Sequence, residues 1–152
     1  MKILMVCLGN ICRSPLAEGI MRDKIGQLKL EWEVDSAGTG GWHSGEKPDR
    51  RSISVAAKYG IDISGQRARQ FYLSDFDHFD LILAMDASNY ADLLRLAPDA
   101  ARRQKVRLIL DAAHGQPMEV ADPYNDDDGF EPTFFLLDEA CDKIIDRFSL
   151  HS

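Results

Sequence analysis

The sequence predicts an α/β fold: a single-domain three-layer sandwich, with a four-stranded parallel sheet and helices on both faces. Two observations predict it. Short runs rich in Ile, Leu and Val alternate with segments of helical periodicity. That alternation implies parallel strands joined by right-handed crossovers. The 152 residues, 45% hydrophobic and 28% charged, suffice for one core and are too few for two ordinary ones, so one domain spans 1–152.

The elements follow in order. Residues 2–6 form an apolar run suited to a strand buried on both faces. From Ser14 the period changes: Ala17, Ile20, Met21, Ile25 and Leu28 recur at helical spacing between charged residues. Ser14 is the expected N-cap, with Pro15 at the first helical position. Residues 31–36 read as a second strand, and the glycine-rich stretch 37–47 as a surface loop. A helix over 48–59 is stopped by Gly60. Residues 62–76 read as turns and a short helix. Residues 79–85 are a third strand, and Asp86 caps a helix ending before Pro98. Residues 106–110 are the fourth strand. An acidic loop covers 120–129. A helix over 131–150 places Phe134, Leu137, Cys141, Ile144, Ile145 and Phe148 on one face.

Charge and cysteine count narrow the function. A net charge of −7 argues against nucleic acid or an anionic membrane as partner, without forbidding a local anion site. The apolar run before Gly9 is too short for a signal-peptide core or a membrane span, so no membrane insertion is expected. Three cysteines are an odd number and do not read as a disulfide framework, so reduced thiols and a cytoplasmic location are expected.

The chemistry sits in Cys7-Leu8-Gly9-Asn10-Ile11-Cys12-Arg13, followed by Ser14 and Pro15. A thiol at the carboxyl end of the first strand lies where parallel sheets bind ligands. A thiol must ionise to attack phosphorus, and three features favour the anion. The following helix points its positive end at the loop. The loop amides form an anion nest that Gly9 makes sterically possible. Arg13 adds a fixed charge, and Ser14 can donate to the sulfur. The same donors grip phosphate oxygens, Arg13 in bidentate fashion. The distant partner is Asp122-Pro123-Tyr124. The proline stiffens the loop, and the Asp122 carboxyl can protonate a leaving oxygen and then deprotonate water. This chemistry needs no metal and no cofactor. His43, His78, His114 and His151 match no ligand spacing, and Asp126-Asp127-Asp128-Gly129 fails as a calcium loop, because Tyr124 and Phe135 fall where carboxylates are required.

With these segments in view, the chain resembles the low-molecular-weight protein tyrosine phosphatases. The likeness runs from residues 6–15 through Asp35-Ser36-Ala37-Gly38-Thr39, Ala68-Arg69-Gln70 and residues 79–86 to Asp122-Pro123-Tyr124. The resemblance implies Cys7 as nucleophile, Arg13 as phosphate binder and Asp122 as general acid. It implies a left-handed Asn10 held through Ser14 and Ser36, and aromatic substrate walls in Trp42 and Tyr124. Cys12 is implied as a redox partner that traps the oxidised nucleophile, beside the plainer reading of a small buried residue. Gln66 stands where many relatives have histidine, and is expected to support the loop through amide hydrogen bonds. Phosphotyrosine proteins are the implied substrates, with a bacterial autophosphorylating tyrosine kinase as an analogous partner. Two competing readings share the loop: a thiol-dependent arsenate reductase and a non-catalytic phosphopeptide binder.

Overall fold

The first strand pairs on both sides and fixes the plan of the molecule. In the computed structural model, which describes residues 1–149, β1 (Lys2–Cys7) runs parallel to β2 (Glu33–Gly38) and β3 (Leu81–Ala84), and β4 (Val106–Leu108) extends the sheet beyond β3. The strand order is β2-β1-β3-β4. The chain leaves β1 to one side and returns on the other, so the order reverses between β1 and β3. The carboxyl ends of those two strands form the crevice in which open α/β sheets bind ligands.

Alternation along β1 explains its unbroken apolar sequence. Ile3, Met5 and Cys7 face one core, with α1 (Arg13–Leu28), α2 (Arg50–Lys58), α6 (Ile109–His114) and α7 (Phe130–Ser149). Leu4 and Val6 face the other, with Phe71, Phe76 of α3 (Asp75–His78) and Leu93 of α4 (Ala87–Leu96). Both faces are dry, so neither parity can be polar. The expected stripe on α7 packs as read: Phe134, Leu137, Cys141, Ile144 and Ile145 are buried, and Phe148 is partly so. Leu150, the last residue of that expected helix, lies outside the described residues.

Several boundaries differ. The first helix begins at Arg13, its N-cap is Cys12 with no side-chain cap bond, and Ser14 lies inside the first turn. The Ser14 hydroxyl is engaged by the preceding loop instead of the helix end. Pro15 still costs nothing, because amides of the first turn have no intrahelical acceptor. The fourth strand stops at Leu108, where Ile109 and Leu110 start α6. An apolar pair is buried either way, so its hydrophobicity does not separate strand from helix. A further short helix, α5 (Ala100–Arg103), is capped by Asp99.

Candidate active site

Residues 7–13 leave β1 and enter α1 with their carbonyls turned outward. The carbonyls of Cys7 and Leu8 accept from the amides of Thr39 (3.0 Å) and Gly40 (2.9 Å). Those of Ile11 and Cys12 accept from the Asp49 amide (2.8 Å) and the Ser52 hydroxyl (3.2 Å). Outward carbonyls leave the loop amides facing inward, as an anion nest requires. Asn10 supplies the bend, with φ of 57°. This is the left-handed region that asparagine tolerates. Gly9 is not at positive φ. A Cβ there would lie 3.0 Å from Cδ2 of the His43 side chain, a tight contact in keeping with the expected steric role of the glycine.

A chain of side chains braces the loop from behind, and its donors can be ordered. The buried Glu18 carboxylate accepts from the Ser36 hydroxyl (2.6 Å). The Ser36 oxygen then accepts from Asn10 Nδ2 (2.9 Å), whose orientation is fixed because Asn10 Oδ1 accepts from the Arg69 amide (3.0 Å). The second Nδ2 proton goes to Ser14 Oγ (2.8 Å), which leaves the Ser14 hydroxyl able to donate to the Cys7 sulfur 3.0 Å away. Burial raises the Glu18 carboxyl above its ordinary value, against the lowering pull of Ser36 and Arg22.

Arg13 is almost wholly buried and held along one edge. Its Nη1 donates to Asp86 Oδ2 (2.7 Å) and the Val120 carbonyl (2.9 Å). Its Nε has no hydrogen-bond partner among the described residues. That leaves the Nε–Nη2 edge, a fork able to grip two oxygens of an oxyanion. Burial opposes the Arg13 charge, but the Cys7 sulfur and the Asp86 carboxylate overcome it and hold the guanidinium above its ordinary value. Asp86 is also the helix cap that the sequence leads one to expect, its Oδ1 accepting from the Asn89 amide at 2.8 Å.

The loop floors a cavity of about 220 Å³. Cys7, Leu8, Gly9, Ile11, Cys12 and Arg13 line it from below, and Trp42, His43, Asp122 and Tyr124 from the sides. Asp122 Oδ2 is 3.8 Å from Arg13 Nη2, and Asp122 Oδ1 accepts from the Tyr124 amide at 3.1 Å. Trp42 is 72% exposed and Tyr124 47%, so both present apolar surface at the rim. The structure thus brings the expected wall and floor residues together, with Asn10, Ser14 and Ser36 behind them. Gln66 reaches α1 instead of the loop: its Nε2 donates to the Pro15 carbonyl (3.1 Å), and its buried Oε1 has no partner among the described residues. Burial, with Asp49 and Asp122 nearby, pushes the Cys12 thiol up to about 12. Cys141 is buried on α7 and belongs to the core.

Sequence reasoning missed His43, whose Nδ1 lies 2.8 Å from Glu46, and the bracing Glu18 and Arg69. The spacing of a histidine and a glutamate three apart, beside Trp42, was the available signal for the first. Among the described residues no three His, Cys, Asp or Glu side chains gather to hold a metal ion.

Fold and cavity together show a Cys-x5-Arg loop, able to receive an oxyanion, at the switch point of a parallel sheet. The chain matches the family described as low molecular weight phosphotyrosine protein phosphatase over residues 2–151, and it belongs to that family. It is therefore an enzyme, a phosphatase. It is 42% identical to low molecular weight phosphotyrosine protein phosphatase 2 of Drosophila melanogaster, over 97% of this chain and 92% of the relative. It is equally 42% identical to a low molecular weight protein-tyrosine-phosphatase of Streptomyces coelicolor, over 91% and 88%. The crystal structure of YfkJ from Bacillus subtilis superposes with a TM-score of 0.91 at 36% identity, covering 100% of this chain and 96% of that one. No helix among the described residues is long and apolar enough to cross a membrane.

Proposed function

We propose that this enzyme hydrolyses phosphotyrosine in proteins by two in-line displacements at phosphorus. The Cys7 sulfur attacks, the phosphorus–oxygen bond to the tyrosine breaks, and Asp122 gives its proton to the departing phenolic oxygen. Arg13 and the loop amides hold the three non-bridging oxygens, on which charge spreads in the transition state. Water, deprotonated by Asp122, then attacks the phosphocysteine and returns the sulfur as a leaving group stabilised by the Ser14 hydroxyl. Trp42 and Tyr124 flank the ring of the substrate. The observation that carries this reading is the convergence of Cys7, the Nε–Nη2 edge of Arg13 and Asp122 on one cavity. The aromatic rim of that cavity favours a phosphate carried on an aromatic side chain.

The family and its relatives support phosphotyrosine proteins as substrates; an autophosphorylating bacterial tyrosine kinase is the partner class proposed by analogy. The three free cysteines fit a reducing, cytoplasmic setting. That Cys7 and Cys12 both line the cavity supports Cys12 as the thiol that condenses with an oxidised nucleophile. The arsenate-reductase reading needs resolving cysteines in a mobile segment. Cys141, whose sulfur lies 4.0 Å from the Ala17 carbonyl in the core, does not serve it.

Hydrolysis of aryl phosphates in the presence of a chelator tests the mechanism. Cys7→Ser abolishes turnover. Asp122→Ala slows esters with poor leaving groups by about 10²–10⁴-fold and good ones far less, because only the poor ones need the acid. Turnover that survives Cys7→Ser removes the nucleophile, and equal losses on all esters remove the acid. Binding of a phosphotyrosine peptide with no hydrolysis overturns the enzymatic reading in favour of a binder.

A further inference from the structure

The loop that carries Asp122 is fixed firmly at one end. The Val120 amide donates to the Met85 carbonyl (2.8 Å), and the Val120 carbonyl accepts from Arg13. Beyond that point its hydrogen bonds turn back on the loop itself. The Tyr124 amide binds Asp122, the Asp126 amide the Pro123 carbonyl (2.9 Å), and the Asp128 amide Asp126 Oδ1 (3.1 Å). Such a loop sets its own local shape but not its distance from the nucleophile.

Arg51, on α2, grips this loop from outside. Its Nη1 donates to Asp127 Oδ1 at 2.7 Å. Its guanidinium carbon lies 4.4 Å from the Phe130 ring centre and 5.4 Å from that of Tyr124. The other edge of the guanidinium is locked on Asp49, with Nε 3.0 Å from Oδ1 and Nη2 2.9 Å from Oδ2. Asp49 is in turn the N-cap of α2, its side chain accepting from the Arg51 amide at 2.8 Å. The first turn of α2 is tied to the phosphate loop, because the Asp49 amide binds the Ile11 carbonyl and the Ser52 hydroxyl the Cys12 carbonyl. A continuous path therefore runs from the nucleophile loop, through Asp49 and Arg51, to Asp127 and Tyr124.

We propose that Arg51 is a positioning residue for the reaction: a strut between the phosphate loop and the acid loop that sets the distance from Asp122 to the leaving oxygen. This inference rests on Asp122 being the general acid. Three contacts meet in one side chain: a fork on Asp49, a third N–H on Asp127, and a planar face on two rings. Arginine can make all three and lysine cannot. The Asp127 side chain is 85% exposed, so its pair with Arg51 adds little stability. What it fixes is geometry, and proton transfer needs the donor within about 2.6–3.2 Å of its acceptor.

The test is kcat/KM for aryl phosphates of graded leaving-group acidity, measured on the wild type, Arg51→Met, Arg51→Lys and Asp127→Asn, with Asp122→Asn as reference. The strut predicts a steeper dependence on the leaving group. Arg51→Met loses about 10–100-fold on phenyl phosphate and far less on 2,4-dinitrophenyl phosphate, since a displaced acid matters where a proton must be supplied. Asp127→Asn, at an exposed position that folding tolerates, keeps Arg51 on the Tyr124 ring and steepens the dependence in the same sense by a smaller factor. Arg51→Lys recovers part of the loss. In the Asp122→Asn background Arg51→Met adds no further steepening, as expected of two residues acting through one proton. A uniform loss across all esters, or a lowered Tm with unchanged leaving-group dependence, overturns the strut while Asp122→Asn still steepens. If Asp122→Asn does not steepen either, the acid and the strut fall together.

Discussion

Ser14 shows how much of this site depends on where one hydrogen points. Its oxygen accepts from Asn10, which leaves its hydroxyl able to donate to the Cys7 sulfur. The Arg69 amide fixes the Asn10 side chain that donates to Ser14, and Ser36, which donates to Glu18, takes the other Asn10 proton. A thiolate gains from the donated hydrogen bond, and gains again when the sulfur leaves the phosphoenzyme. Ser14→Ala is therefore expected to lower kcat by about 10–100-fold through slower breakdown of the intermediate, as loss of a donor to developing charge does. Rapid-mix kinetics check this: a burst of phenol followed by slow turnover is expected, and loss of the burst with unchanged kcat contradicts the role. Glu18→Gln, which can present its amide N–H to Ser36, is expected to act in the same direction more weakly. The sequence offers Ser14 both as a donor to the sulfur and as a helix cap, and the extension of the network to Glu18 and the Arg69 amide is not visible there. Cys7, Arg13 and Asp122 are named from the sequence by their combination, since Asp122-Pro123 by itself reads as an ordinary acidic turn.

At the scale of elements, the strand–loop contact at the end of β2 is a close backbone-to-backbone constraint. A Cβ on Gly38 would lie 2.8 Å from the Leu8 carbonyl oxygen, 3.0 Å from that of Gly40 and 3.1 Å from the Gly9 carbonyl carbon. All three are backbone atoms, so none can swing aside. Gly38→Ala is expected to push the phosphate loop off its geometry, lowering kcat/KM by about 10-fold or more. Gly26→Ala, where nothing lies within 4 Å of the added Cβ, serves as the control and is expected to leave activity unchanged. Comparable kinetics for the two variants would show that the loop yields. This contact marks the limit of what sequence patterning conveys. β1 and α7 are legible because their apolar period answers to burial alone. The close approach at Gly38 and the start of α6 at Ile109 are set by neighbours distant in the chain, and a local window carries no record of them. The short cap of α2 by Asp49 lies between: aspartate before a helical run is a local signal, but its fork to Arg51 is not.

The whole molecule carries two buried thiols whose titration shapes its stability. Burial pushes Cys141 up to about 12, and burial with Asp49 and Asp122 does the same for Cys12, against an ordinary 9.0 for both. A group whose folded value is raised adds stability that is complete below its unfolded value and is lost as pH rises toward the folded one. The two thiols therefore hold their contribution below pH 9 and release it between about 9 and 12, because the unfolded chain loses those protons first. Each therefore gives stability a slope that falls with pH across that window. The acid side has the opposite sign. The Arg51 fork holds Asp49 below its ordinary 3.8, so its stabilisation is present above that value and is lost as pH falls below it. Urea unfolding between about pH 7 and 11 separates the alkaline limb from the rest. Cys141→Ala is expected to remove half of the thiol slope, and the difference in stability between wild type and variant should shrink steadily above about pH 9. A difference that stays constant across that range would show that the Cys141 thiol ionises alike in the folded and unfolded chains, and that its burial against Ala17 does not protect its proton.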